Sequence, residues 1–238
     1  MAHDHRLGVV VGMIASPVLE ATELYRFYRV DDEETLALRG VSLALQAGEV
    51  LVVTGPSGSG KSTLLACLAG VDEPDGGSVR LDGHRLNHRS ERERAAARAS
   101  GIGMLFQSDN LLAHLTVADN IRLVQRLVGR TPRSTVAELL DSVALGHRGR
   151  SRPAQLSGGE NARAGLAVAT ANDPRVLLAD EPTGELDEHT ESTILAVLRQ
   201  TADAGCAVLI ASHSPAVAAS ADRLLRMAHG RLSGQERR

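Results

Sequence analysis

Glu49-Val50-Leu51-Val52-Val53-Thr54-Gly55-Pro56-Ser57-Gly58-Ser59-Gly60-Lys61-Ser62-Thr63-Leu64-Leu65 is the stretch on which the fold turns. An apolar run is followed by Gly-x-x-x-x-Gly-Lys-Ser and then by the apolar opening of a helix, the order of strand, phosphate loop and helix. Glycines let successive backbone N–H groups turn inward around phosphate oxygens, and the following helix presents its positive N-terminus to the same charge. Gly55, Pro56, Ser57, Gly58, Ser59, Gly60, Lys61, Ser62 and Thr63 are therefore candidate nucleotide-binding residues. Lys61 is expected on the β and γ phosphates, and Ser62 on Mg²⁺, a hard ion that takes few protein oxygens.

Outward from this loop, Val176 to Ala179 and Ala207 to Ala211 are further continuous apolar runs. Such runs are expected of parallel strands covered by helices on both faces. From residue 18 onward, strand-like runs alternate with amphipathic helical ones, which argues an α/β fold with a mixed central sheet. Val18 to Leu24, Leu36 to Leu45 and Val79 to Leu81, with Gly76-Gly77 and Asp82-Gly83 as turns between them, are the expected antiparallel portion. Arg223 to Leu232 reads as a closing hairpin around His229-Gly230.

Between about residues 108 and 160 the apolar spacing becomes helical, at Ile121, Val124, Leu127 and Val128 and again at Val136, Leu139, Leu140 and Val143. Thr131-Pro132 and Gly146 read as the start and stop of the second helix. An inserted helical subdomain is the expectation, inside a domain covering 18–238. Residues 1–17, with the apolar run Leu7 to Ala15, are expected to be a disordered extension.

Composition excludes some functions. Lys and Arg total 26 against 29 Asp and Glu, a net charge of -3, so no electrostatic excess argues for a polyanionic partner. Aromatic residues are 2% of the chain, with no Trp, too few to build a base-stacking platform, and nucleic acid is not an expected partner. Cys67 and Cys206 adjoin apolar runs and read as buried, reduced thiols. No apolar stretch approaches the ~20 residues a membrane-spanning helix needs, so a membrane role requires a partner chain.

Val176-Leu177-Leu178-Ala179-Asp180-Glu181 ends a buried strand in two carboxylates, at the sheet edge where α/β ligands sit. Asp180 is expected to hold Mg²⁺. Strand alternation sends Glu181 the other way, where it would polarise the attacking water as general base. Leu156-Ser157-Gly158-Gly159-Glu160 carries a capping box, with Ser157 and Glu160 opening a helix that runs to Ala171. Two glycines at such a helix start also make an anion site.

This last motif resembles the signature of ABC ATPases, and the resemblance covers nearly the whole chain from about residue 18. It implies that Ser157, Gly158, Gly159 and Glu160 cap the γ phosphate of ATP bound by the opposite subunit of a homodimer. Gln107 resembles the Q-loop residue, implying catalytic and Mg²⁺ contacts, Asp187 the D-loop aspartate, and His213 the catalytic switch histidine. By residue type alone, Gln107 could end a strand, Asp187 could cap a helix and His213 could be structural. Tyr28 stands nine residues before Ala37, the family's spacing for the aromatic that stacks on adenine, with Tyr25 and Phe27 as nearby competitors.

Phe106 to Leu112 through Thr116-Val117, and Ala179 to Asp187, resemble the lipoprotein-release, macrolide-export and cell-division branch, although Asn161-Ala162 replace two glutamines and Val168 a common arginine. That resemblance implies an ATP-hydrolysing motor on the cytoplasmic face of a membrane, docked near Gln107 and the helical insertion on a separate integral permease. The rival reading is a soluble ABC ATPase acting on DNA or ribosomes. It would call for long coiled-coil insertions or two ATPase halves, and the 238 residues hold one set of motifs.

Overall fold

The computed structural model describes residues 16–30, 33–129, 131–184 and 186–237; Glu185 and the expected N-terminal extension, apart from Ser16 and Pro17, lie outside them. In chain order the elements are β1 (Leu19–Val30), β2 (Glu33–Leu45), β3 (Val50–Thr54), α1 (Lys61–Leu68), β4 (Gly76–Leu81), β5 (His84–Arg85), α2 (Glu91–Gly101) and β6 (Ile102–Leu105). Then follow α3 (Val117–Leu127), α4 (Val136–Ser142), α5 (Gly158–Ala169), β7 (Val176–Asp180), α6 (Glu188–Asp203), β8 (Ala207–Ala211), α7 (Pro215–Ala219), β9 (Arg223–Ala228) and β10 (Arg231–Arg237).

The strands form two sheets. One is antiparallel, in the order β2-β1-β4-β5. The other runs β10-β9-β3-β8-β7-β6 and is parallel except for the closing β9–β10 hairpin. Alternation along β3 divides its side chains between two cores. Leu51 and Val53 face α1 and the antiparallel sheet, with Leu64, Leu68, Leu24 and Leu38. Val50 and Val52 share the second core with Leu166, Ile194 and Leu198. Ile121, Leu139, Leu140 and Val143 belong to that second core too, so the helical insertion is continuous with it rather than packed apart.

Several expectations change here. Gly76-Gly77 do not form a turn; they begin β4, and a Cβ on Gly77 would lie 2.2 Å from the Glu23 carbonyl oxygen, so glycine permits close pairing with β1. The second inserted helix starts four residues later than Thr131-Pro132: Thr135 caps α4, its hydroxyl accepting from the Glu138 amide while Glu138 accepts from the Thr135 amide. Gly146 is not its stop but opens a 3-10 turn after α4 has already ended at Ser142.

The insertion is also less helical than its spacing suggests, because 108–115 is loop. Asn110 accepts from the Phe106 amide at 2.7 Å, and Asn120 binds both polar groups of Leu112, so side chains supply the backbone partners that a helix would have supplied. Cys67 and Cys206 are buried free thiols, and burial pushes each up to about 12.

Leu209 is fully buried at the centre of the parallel sheet. Leu209→Ala should lower the unfolding free energy by about 2–5 kcal/mol. Leu127→Ala, at an exposed position on α3, should change it by less than about 0.5 kcal/mol in the same urea titration.

Candidate functional site

Parallel register brings three loops to one edge: Val53 pairs with Ala211, and Ala211 pairs with Asp180. Between them lies a cavity of about 510 Å³. Ser57, Gly58, Gly60, Lys61, Ser62 and Thr63 line it from the phosphate loop, with Asp180, Glu181, His213, Gln107 and Tyr28 around them. Of the three candidate aromatics, Tyr28 lines the cavity and Tyr25 and Phe27 do not.

The loop is fixed from below. Gly60 has φ +107°, and a Cβ there would lie 2.5 Å from the Ala37 carbonyl oxygen, so the loop rests directly on β2. The Gly230 amide in the β9–β10 turn donates to the Ser59 carbonyl at 3.0 Å, and Arg39 of β2 donates to Gly230 at 2.8 Å. Lys61, the first residue of α1, is buried; its Nζ donates to the carbonyls of Gly55 at 2.8 Å and Pro56 at 3.2 Å and lies 3.9 Å from Glu181 Oε1.

Burial raises the Asp180 carboxyl above its usual range and neighbouring Glu181 adds to this, while a hydrogen bond with Ser62 and the charge of Lys61 oppose it. Glu181 is not sent to the opposite side of the sheet. β7 ends at Asp180, and Glu181 turns off the strand at φ +46°, so alternation no longer governs it and both carboxylates line one cavity. Its Oε2 accepts from the Ser212 hydroxyl at 3.1 Å and from the His213 amide at 3.4 Å, and Oε1 is 3.0 Å from His213 Nδ1. Ser212 is 1% exposed and was not singled out from sequence, although its position beside His213 at a strand end is the signal that would have found it.

Gln107 is exposed beyond the end of β6 and, like Glu181, lines both this cavity and a second one beside Phe106, Pro153 and Asn161. Ser157 caps α5 as expected, accepting from the Glu160 amide at 3.2 Å, and Glu160 returns the contact to the Ser157 amide at 2.9 Å. Arg148, which no sequence pattern marked, donates to the other Glu160 oxygen at 2.8 Å. The Ser157 amide foremost, then Arg148, hold the Glu160 carboxyl below its usual range. Asp187 caps α6, accepting from the Thr190 amide at 2.9 Å and its hydroxyl at 2.7 Å. None of Ser157, Gly158, Gly159, Glu160 and Asp187 lines the phosphate-loop cavity.

The residues present fit a nucleotide with its magnesium. Lys61 places a buried cation among the lining of the cavity, beside Ser57, Gly58 and Gly60. Ser62 and Asp180 offer one hydroxyl and one carboxylate. No group of three or more His, Cys, Asp or Glu among the described residues is placed to hold a metal alone. That donor set suits an ion that brings phosphate and water oxygens with it.

The chain belongs to the ABC transporter family, whose model matches residues 38–184. It is 42% identical over 220 residues to the lipoprotein-releasing system ATP-binding protein LolD of Maricaulis maris, covering 91% of this chain and 96% of that protein. It is 39% identical over 226 residues to LolD 2 of Caulobacter vibrioides, covering 93% and 99%. The macrolide export ATP-binding/permease protein MacB of Shigella flexneri is 38% identical over 91% of this chain, which spans 34% of that longer protein. Among solved structures, an ATP-binding cassette in a dimeric, post-hydrolysis state bound to ADP and Pi aligns with a TM-score of 0.86 at 31% identity, covering 92% of this chain and 98% of that one. This chain is thus an ATP-binding, ATP-hydrolysing subunit of the family.

Because Asp180 holds its proton more tightly folded than unfolded, its ionised form costs stability. Relative to Asp180→Asn, the wild-type protein should lose stability as pH rises from the ordinary carboxylate range through the elevated value. Urea unfolding from acidic to neutral pH checks this, and parallel curves for the two proteins would contradict it.

Proposed function

We propose that this chain is the motor of a transporter, coupling ATP binding, homodimer closure and hydrolysis to a conformational change in a separate integral membrane permease on whose cytoplasmic face it sits. The observation that carries the proposal is the division of the site: Lys61, Ser62, Asp180, Glu181 and His213 share one cavity, and the signature residues stay outside it. A twofold pair of identical chains would bring each signature to the other's cavity. No helix among the described residues is long and apolar enough to cross a membrane, and the LolD relatives, matched over nearly their whole length, are named as ATP-binding proteins of lipoprotein-releasing systems.

In this reading the phosphate-loop amides and Lys61 hold the β and γ phosphates, exchanging the lysine's carbonyl contacts for phosphate oxygens. Ser62, Asp180 and Gln107 would hold Mg²⁺, which would offset the charge of the phosphates. Glu181 accepts the proton of the attacking water, with His213 and Ser212 fixing its carboxylate. Ser157, Gly158 and Gly159, at the start of α5, complete the partner's site, and Glu160 braces that helix start. Asp187 caps the start of α6. Gln107 joins the nucleotide cavity to the groove beside the helical insertion, which is where the permease would dock.

Glu181→Gln keeps the reach of the side chain but removes the charge that accepts the proton. It should bind Mg-ATP and accumulate as a dimer in size-exclusion chromatography, whereas wild type with ADP should run as a monomer. A variant that hydrolyses ATP at the wild-type rate would remove Glu181 from its role. Lys61→Ala should lose tight ATP binding and hydrolysis together, and near-normal turnover would sink the site assignment.

A further inference from the structure

Behind Tyr28 lies a network that the functional reading above does not use. Arg26 and Tyr28 are alternate residues of β1 and so emerge on the same side of the strand. The Arg26 guanidinium carbon sits 4.7 Å from the centroid of the Tyr28 ring. Arg26 grips Asp72 in a two-pronged contact, Nε to Oδ2 and Nη2 to Oδ1, each 2.8 Å. Asp72 Oδ2 also accepts the Tyr28 hydroxyl at 2.7 Å. Asp75 closes the ring of contacts, accepting from Arg26 Nη1 at 3.1 Å and from the Phe27 amide at 2.8 Å.

We infer that Arg26 and Asp72 are positioning residues for base recognition: they lock the plane of Tyr28 so that one ring face is offered, already oriented, to the purine of the nucleotide. This rests on the reading of Tyr28 as the stacking aromatic. Tyr28 lines the nucleotide cavity while Arg26 and Asp72 do not, so the two act through the ring and touch no part of the ligand themselves. A tyrosine has two free side-chain torsions, and a hydroxyl tether together with a planar cation against one face removes both. A platform immobilised in advance spares the ordering cost on binding. The network is anchored close to the phosphate-loop helix, since Asp72 lies in the loop that follows α1.

The test compares Mg-ATP with Mg-tripolyphosphate, which offers phosphates and no base, by calorimetric titration of the full chain. Arg26→Ala and Tyr28→Phe should each weaken Mg-ATP binding roughly two- to tenfold, the range of a lost aromatic contact, and leave the tripolyphosphate Kd unchanged. Tyr28→Ala should weaken Mg-ATP at least as much. If Tyr28→Ala weakens ATP binding and either of the other variants binds it as wild type does, the positioning role falls while the stacking role stands. If Tyr28→Ala itself binds as wild type does, the stacking reading fails and the inference fails with it. Equal weakening of both ligands by Arg26→Ala would mean an ordinary structural ion pair and would overturn the inference. Should Arg26→Ala fail to fold, Tyr28→Phe, which removes one oxygen, decides alone.

Discussion

Val53, Ala211 and Asp180 stand abreast across three parallel strands, and the site depends on that alignment. The phosphate loop leaves β3 one residue beyond Val53, Glu181 leaves β7 directly after Asp180, and Ser212-His213 leave β8 directly after Ala211. A slip of one residue would move one of these loops by about 3.3 Å and turn its strand's side chains to the other face. Burial on both faces forbids it. Leu51 and Val53 fill one core and Val50 and Val52 the other, so no alternative register keeps both filled.

That same double burial made most of the fold legible in the sequence. Strands with no polar face read as apolar runs, and β3, β7 and β8 lie where those runs lie. β6, four residues including Gly103, carries too little pattern to show in the sequence. α2 has no apolar stripe to mark it, since Glu91 to Arg98 is rich in charge, with Arg94 and Arg98 pairing with Glu91 along its surface. Gly76-Gly77 reads locally as a turn, yet the reason for glycine at Gly77 is the backbone of Thr22 and Glu23, more than fifty residues earlier.

Among the site residues a similar division holds. Lys61, Ser62, Asp180, Glu181 and Ser157 sit in local motifs whose chemistry shows in the order of residues, and the structure gathers the first four at one cavity. Residues that act by contact across the chain carried no such mark: Ser212 reaches Glu181 over 31 positions, Asp72 reaches Tyr28 over 44, and Arg148 reaches Glu160 over 12. Side-chain partners fixed by tertiary packing leave no trace in spacing. The positive φ of Glu181 is of the same kind, since the turn that imposes it is closed by the Glu181 amide on Ala211 and the Gly184 amide on Glu181.

The signature residues lie outside their own chain's phosphate-loop cavity, and in a paired arrangement this has a consequence for inheritance and dosage. Each protein molecule would lend one half of a site and borrow the other, so a copy with a ruined phosphate loop still lends a sound signature, and a copy with a ruined signature still binds its own nucleotide. Two differently damaged alleles expressed together would form mixed pairs in which both lesions fall on one site and leave the other whole. Such alleles would complement each other when neither functions alone, a pattern that a site built within a single chain cannot produce.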